Sequence, residues 1–275
     1  MNLHFDQMRS PEVGDLVKKG GVVLVPIGAC EVHGRHLPLN TDTVLASSVA
    51  IEAAKIASKK VPIAVLPSIW FGYSVNVLKN WPGTITIKPK VLIDLVYEVC
   101  RSLIDMGINK ILIINGHGNN PGVLDVVVRS IGDDFKVFPG VVNSYNLWDN
   151  GYVKKHRKSK EGGTGHAGEL ETSQMLHLTD GVNMDLADDT DIMKSNLESC
   201  PVDWCSGRKK WMYLSTWYLE DSKYGAAGDP SSARAEFGKD LQDMAVKNLS
   251  WIIEEFYEVL EKLAKRKLRR ENTKF

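Results

Sequence analysis

The sequence has 275 residues, with 34 basic and 34 acidic side chains, so its formal charge is zero. That balance argues against a chain whose main task is to hold nucleic acid or an anionic membrane, because both favour a basic excess. Hydrophobic residues make up 43% and charged residues 25%, ordinary proportions for a globular chain long enough to bury a large core.

The longest apolar runs, around Gly21–Ile27 and Ile111–Ile114, fall far short of the roughly 20 residues a membrane span needs. The opening MNLHFDQMRS has no basic start, apolar stretch and small-residue cleavage site, so no signal peptide is expected. Four cysteines (Cys30, Cys100, Cys200 and Cys205) form no dense disulfide framework, and a reducing cytoplasm is the expected setting.

Gly21–Ile27 (GVVLVPI) is continuously apolar and of strand length, which predicts a strand buried on both faces. Thr43–Lys59 follows the N-cap pair Thr41-Asp42 and reads as a helix. Val61–Leu66 is a second strand. Pro89–Met106, opened by proline and stopped by Gly107, is a second helix. Lys110–Ile114 is a third strand, and Asn120-Pro121 opens a helix to about Ile131. Phe135–Val142 reads as a fourth strand. Tyr152–Gly165 is basic and without apolar periodicity, a long loop expected near a site. A helix follows to about Leu178. Ser231–Lys265 reads as one long helix or two broken near Gly238. The β-α-β-α-β-α-β order predicts an α/β fold, a mostly parallel sheet with helices on both faces and no clear domain boundary.

Four of the seven histidines lie in three short polar stretches at predicted strand ends or helix starts, where open α/β sheets place ligands. In the first, Gly28–Asp42, Glu31 and His33 are two apart and share a face of extended chain, and Asp42 can turn back from the next helix. Carboxylate and imidazole together suit zinc, manganese or iron. In the second, Asn115–Asn120, glycines flank His117 and permit close backbone approach. Its glycine spacing is not that of a dinucleotide fingerprint. In the third, Gly165–Ser173, helical spacing puts His166 and Glu169 on one face, with Glu171 pointing elsewhere. Each stretch alone reads equally as a polar cap or a structural histidine. Three in one chain point to convergence. Glu31, His33, Asp42, His117 and Glu169 suffice for two metals sharing one carboxylate, with positions left for water and substrate.

The segments GACEVHGRHLPLNTDT, WPGTITI, NGHGNN and GHAGELETS, with the later Gly228-Asp229-Pro230, resemble the creatininase (creatinine amidohydrolase) family in that order. The resemblance implies a single αβα domain over residues 1–275, two divalent cations per chain, hydrolysis of a small substrate, and often a hexamer. It assigns Glu31 and His117 to one metal and His33 to the other, with Asp42 as the bridge. It makes His166 the proton-transferring residue. Two departures stand out. Asn119 occupies the place of a metal-binding glutamate, and Glu169 is the expected replacement. Ser74–Asn80 lacks the acidic residue and histidine common before the PGT segment. Ser74 and Asn119 are the expected substrate contacts.

Such a site implies a water acidified by two cations attacking a polarised carbonyl. His166 passes a proton to the leaving atom. That atom is nitrogen in a cyclic amide or formamide, or carbon in a keto-inositol ring. C–N hydrolysis is the leading expectation, C–C hydrolysis the alternative, and a metal-dependent sugar isomerase a remote third. Cys200 and Cys205 are expected to be free thiols. Trp204, Trp211, Tyr213, Trp217 and Tyr218 are expected at a subunit interface. The basic end (Lys265, Arg266, Lys267, Arg269, Arg270) is expected to be the solvated end of the last helix.

Overall fold

The apolar runs Val22–Ile27 (β1) and Lys110–Asn115 (β3) are buried at every position, which a strand achieves only when both faces of its sheet are covered. In the computed structural model, which describes residues 2–193, 197–207, 209–215 and 219–272 and side chains as far as residue 266, these are the two central strands. Ile63–Val65 (β2) flanks β1 and Gly140–Asn143 (β4) flanks β3, in the order β2-β1-β3-β4. All pairs are parallel, with Val22 opposite Ile63 and Lys110, and Leu112 opposite Gly140.

Alternation along the strands divides the core in two. Val23, Val25, Ile27, Ile111 and Ile113 point to one face. There they pack on Leu16 of α1 (Ser10–Lys18), Leu92, Val96 and Leu103 of α3 (Pro89–Asp105), and Leu124, Val127 and Ile131 of α4 (Pro121–Phe135). Val22, Leu24, Leu112 and Ile114 point to the other. There they meet Val49, Ala50 and Ala53 of α2 (Thr41–Ala57) and Leu249 and Ile253 of α7 (Ala235–Asn272). The result is the three-layer α/β architecture expected. α5 (Asn150–His156) follows β4, and α6 (Glu169–Leu178) packs on α7 and α2.

Several expected boundaries move. α2 starts at Thr41, with Asn40 as its cap, so Asp42 lies inside the first turn and not at the cap. Phe135 ends α4 and does not begin a strand. Lys136 closes that helix in the left-handed conformation at φ 56°, a common stop signal, and the strand starts only at Gly140. The expected loop Tyr152–Gly165 begins inside α5, because Asp149 Oδ1 accepts the Tyr152 N–H at 2.6 Å and Val153 is buried. α7 runs unbroken through Gly238, where a Cβ would lie 1.8 Å from the Ser173 carbonyl oxygen. There the missing side chain lets α7 approach α6.

β1 runs into α2 on one face of the sheet, while β3 runs into α4 on the other. The two loops therefore part at the carboxyl ends of adjacent strands and leave a crevice between them, the usual ligand position in an open α/β sheet. No helix among the described residues is long and apolar enough to cross a membrane.

Candidate metal centre

Two buried asparagines tie the crevice together. Asn115 Oδ1, at the end of β3, accepts the His117 N–H at 3.1 Å, and its amide donates to the His117 and Asn143 oxygens at 2.8 Å each. The Asn120 amide donates to the Gly28 carbonyl at 3.1 Å, and its oxygen accepts from Tyr73 N–H at 3.1 Å. The loops after β1, β2 and β3 are thereby held in one register. Gly116 allows the closest approach, since a Cβ there would sit 2.2 Å from the Asp42 carbonyl oxygen. No such pressure exists at Gly118, where a Cβ would meet nothing within 4 Å.

Around this frame Glu31, His33, Asp42, His117 and Glu171 are all buried. Their donor atoms, with those of His166, form three overlapping groups: Glu31–Asp42–His117, His33–Asp42–Glu171 and Glu31–His33–His166. Within each group the atoms lie within 4.8 Å of one another. Asp42 joins two of them. Its Oδ1 is 3.2 Å from His33 Nε2 and its Oδ2 is 2.7 Å from His117 Nδ1.

The imidazoles are oriented from behind. His33 Nδ1 donates to the Glu31 carbonyl at 3.1 Å, His117 Nε2 to the Tyr73 carbonyl at 2.9 Å, and His166 Nε2 to the Val32 carbonyl at 2.9 Å. A carbonyl only accepts, so each of these nitrogens carries the proton. The opposite nitrogen of each neutral ring then turns a lone pair towards carboxylate oxygens. Glu31 Oε2 and Asp42 Oδ2 are buried without a hydrogen-bond donor. Lone pairs converging on lone pairs in a buried crevice require positive charge between them, from protons or from cations.

Without cations, protons take that part. Burial opposes charge on His33, but Asp42 first, then Glu171 and Glu31, raise its pKa to about 10. Burial likewise opposes charge on His117, and Glu31 and Asp42 raise it to about 9. Asp42 is held below its ordinary range, against burial, by His33 and His117. Burial raises Glu31 and carries Glu171 to about 7. His166 goes the other way: burial, then the charge of His33, lower it to about 3.

Glu31, His33, Asp42 and His117 come together as expected, and His166 adjoins them, with Nδ1 3.7 Å from Glu31 Oε1. Glu169 does not. Its carboxylate accepts from Lys158 N–H at 2.8 Å and from Ser159 N–H and Oγ–H at 2.9 and 2.6 Å, and Arg234 lies at 3.4 Å. It clamps the preceding loop to α6. The cluster instead contains Glu171, with Oε1 4.0 Å from His33 Nε2 and Oε2 accepting from Ala167 N–H at 2.6 Å. The expectation failed because His166 is not on the helix. Ala167 has φ 54° and Gly168 is extended, so α6 begins only at Glu169, and i, i+3 spacing does not reach back to His166.

Ser74 is also displaced from its expected role. It is buried, its hydroxyl makes no hydrogen bond among the described residues, and it is not among the residues that line the cavity. Asn119 does line it. The cavity, about 1080 Å³, is lined by Glu31, Asp42, His117 and His166 together with Tyr73, Tyr145, Trp148 and Trp204. Tyr145 was not foreseen. It is held near the Asn115 side chain, and burial, then the Asp42 charge, raise its pKa, so it is a neutral phenol facing the site. Its only sequence signal was its position just past β4, the sheet's fourth carboxyl edge. Trp204 and Tyr213 line the cavity, Trp211 is exposed, and Trp217 and Tyr218 lie outside the described residues, as do the side chains of Lys267, Arg269 and Arg270. Cys200 and Cys205 are buried free thiols.

Comparison with known proteins places the chain among relatives. The chain is 28% identical over 181 residues to a 3-dehydro-scyllo-inosose hydrolase of Thermotoga maritima, covering 64% of this chain and 56% of that protein. It is 30% identical over 226 residues to a mycofactocin precursor peptide peptidase of Mycolicibacterium smegmatis, covering 80% of this chain and 79% of that one. A solved structure titled "Creatininase Mn" superposes with a TM-score of 0.77 at 20% identity, over 94% of this chain and 99% of that one. The chain thus spans little more than half of the inosose hydrolase and most of the other two. The creatinine amidohydrolase (creatininase) family model matches residues 6–253, and the chain belongs to that family of hydrolases.

Proposed function

We propose that the protein is a two-metal hydrolase that opens a C–N bond, an amide, lactam or formamide, in a small polar substrate. The carrying observation is the meeting of imidazole lone pairs and donorless carboxylate oxygens in one buried crevice, in two ligand groups that share Asp42. Glu31, Asp42 and His117 would hold one divalent cation, and His33, Asp42 and Glu171 the other. Oxygen and nitrogen ligands fit zinc, manganese or iron. Bound there, the ions supply Lewis acidity, towards both a water and a substrate carbonyl.

The remaining work falls to the chain. The carbonyls of Glu31, Tyr73 and Val32 hold three imidazoles in the required tautomers. His166, kept neutral near pH 7 chiefly by burial, presents Nδ1 to move a proton to the leaving nitrogen. Tyr145 presents a neutral hydroxyl and Asn119 an amide to orient the substrate. The relative of Mycolicibacterium smegmatis, named a peptidase, supports cleavage of a C–N bond.

The name of the Thermotoga maritima relative supports a second reading, C–C hydrolysis of a keto-inositol ring, in which the same His166 proton goes to carbon. Mass spectrometry of metal-loaded protein against lactams, formamides, short peptides and keto-inositols tests both readings. A hydrolase adds one water to its substrate, and an isomerase adds none. A gain of one water on an amide, lost on chelation, is expected; turnover confined to keto-inositols would replace the first reading with the second. A cytoplasmic homo-hexamer, each chain a single domain over residues 1–275, is the assembly the family resemblance supports. Light scattering on the purified protein tests it.

A further inference from the structure

The residues lining the cavity divide by charge and by burial. The buried part carries the carboxylates of Glu31 and Asp42, which the proposed cations would neutralise. The solvent-exposed part carries two lysines, Lys154 of α5 and Lys210. Lys154 Nζ lies 3.7 Å from where a Cβ of Gly207, another lining residue, would stand. Lys210 Nζ lies 5.3 Å over the Tyr213 ring. Neither lysine forms an ion pair among the described residues.

Asp203, the remaining acid among the described lining residues, is already committed. Asp203 Oδ1 accepts from Arg157 at 2.8 Å, from Thr164 Oγ at 2.8 Å and from Cys205 N–H at 2.9 Å, and Oδ2 accepts from Gly162 N–H at 2.7 Å. Its charge is offset by Arg157, and its oxygens face donors on every side, so it does not neutralise the lysines. Tyr145 and Trp204 give the lining an aromatic wall, their ring centroids 5.8 Å apart. A volume of about 1080 Å³ exceeds what a bare lactam ring needs and reaches the upper range of sites for drug-sized ligands.

We propose that Lys154 and Lys210 form an anion subsite at the mouth of the cavity, so that the substrate carries a phosphate or carboxylate remote from the carbonyl that is attacked. The substrate lies along the Tyr145–Trp204 wall, with its carbonyl at the metal end and its anion at the lysine end. Two ammonium groups on flexible stems suit either anion as point charges. This assignment deepens the hydrolase reading and rests on it only in taking this cavity as the substrate's.

The test is calorimetric titration of metal-loaded protein with phenyl phosphate, phenylacetate and neutral benzyl alcohol. The wild type is compared with Lys154→Gln/Lys210→Gln. At least one anion should bind the wild type on the order of tenfold or more tightly than the double variant, and added salt should erase the difference. The ratio of phenyl phosphate to phenylacetate affinity then tells phosphate from carboxylate. Benzyl alcohol should not distinguish the two proteins. Both lysines are exposed, so the variant should keep its melting temperature and metal content. Equal anion binding by both proteins would place the recognition at the cations and overturn the subsite, as would no anion binding to the wild type. Absence of turnover on any substrate would count against the hydrolase reading while leaving this titration intact.

Discussion

Glu171 Oε1 lies 4.0 Å from His33 Nε2, across the gap that Asp42 Oδ1 also faces. Glu169, in the same first turn of α6, spends its carboxylate on Lys158 and Ser159. The two glutamates should therefore fail differently. Glu171→Gln is expected to lose one metal and to lower activity by on the order of 10–100-fold or more. Glu169→Gln should keep both metals but melt at lower temperature, since an amide nitrogen would face donors where a carboxylate accepts, at a cost of about 1–3 kcal/mol. Metal analysis and thermal melts on both purified variants decide it. Loss of metal from Glu169→Gln with both retained in Glu171→Gln would reverse the assignment.

Asp42 touches His33 through one oxygen and His117 through the other. Asp42→Ala should therefore deplete both metals, whereas His33→Ala should deplete one. Elemental analysis after equal dialysis measures this. The idea of a shared carboxylate does not survive if both variants retain one metal per chain.

Metal-free protein should lose stability as pH rises. His33 at about 10 and His117 at about 9 bind protons more tightly folded than unfolded, where histidine titrates near ~6.5. Their contribution is complete below about pH 6.5 and is lost as pH climbs through these folded values. Glu171, raised to about 7 mainly by burial, acts in the same direction over a lower window. The lowered His166 and His36, at about 3 and about 4 chiefly through burial, contribute above about pH 6.5 and lose their effect only as the solution is acidified. Melts of chelated protein from about pH 7 to about pH 10 should show a falling midpoint, and metal-loaded protein a flatter one. A flat curve for the chelated protein would mean that the imidazoles do not carry the missing charge.

Gly116 and Gly118 flank His117 alike in sequence but not in space. Gly116→Ala must displace the Asp42 backbone, which would lie 2.2 Å from the new methyl. A cost of about 1–3 kcal/mol or more and lost metal are expected. Gly118→Ala meets nothing within 4 Å and should leave both unchanged. Parallel melts and metal analysis compare them, and a damaging Gly118→Ala would contradict this packing.

The buried strands and the parallel order were legible in the chain because continuous β-branched runs at strand length have few other uses. Glu31, His33, Asp42 and His117 were legible for a related reason. Each sits in the loop that follows a strand or in the first turn of a helix, and topology carries such positions to one edge of the sheet. The choice between Glu169 and Glu171 was not legible. Both are glutamates of one motif, and their roles turn on where the first helical residue falls. That is decided by Ala167 at φ 54° and by Gly168 fitting against Gly163 and against Gly228, the latter a contact with a segment 60 residues further along the chain. Ser74 and Tyr145 exchanged importance for the same kind of reason. A hydroxyl lines a cavity or is buried away from it according to what packs behind it, and local spacing carries no information about distant neighbours.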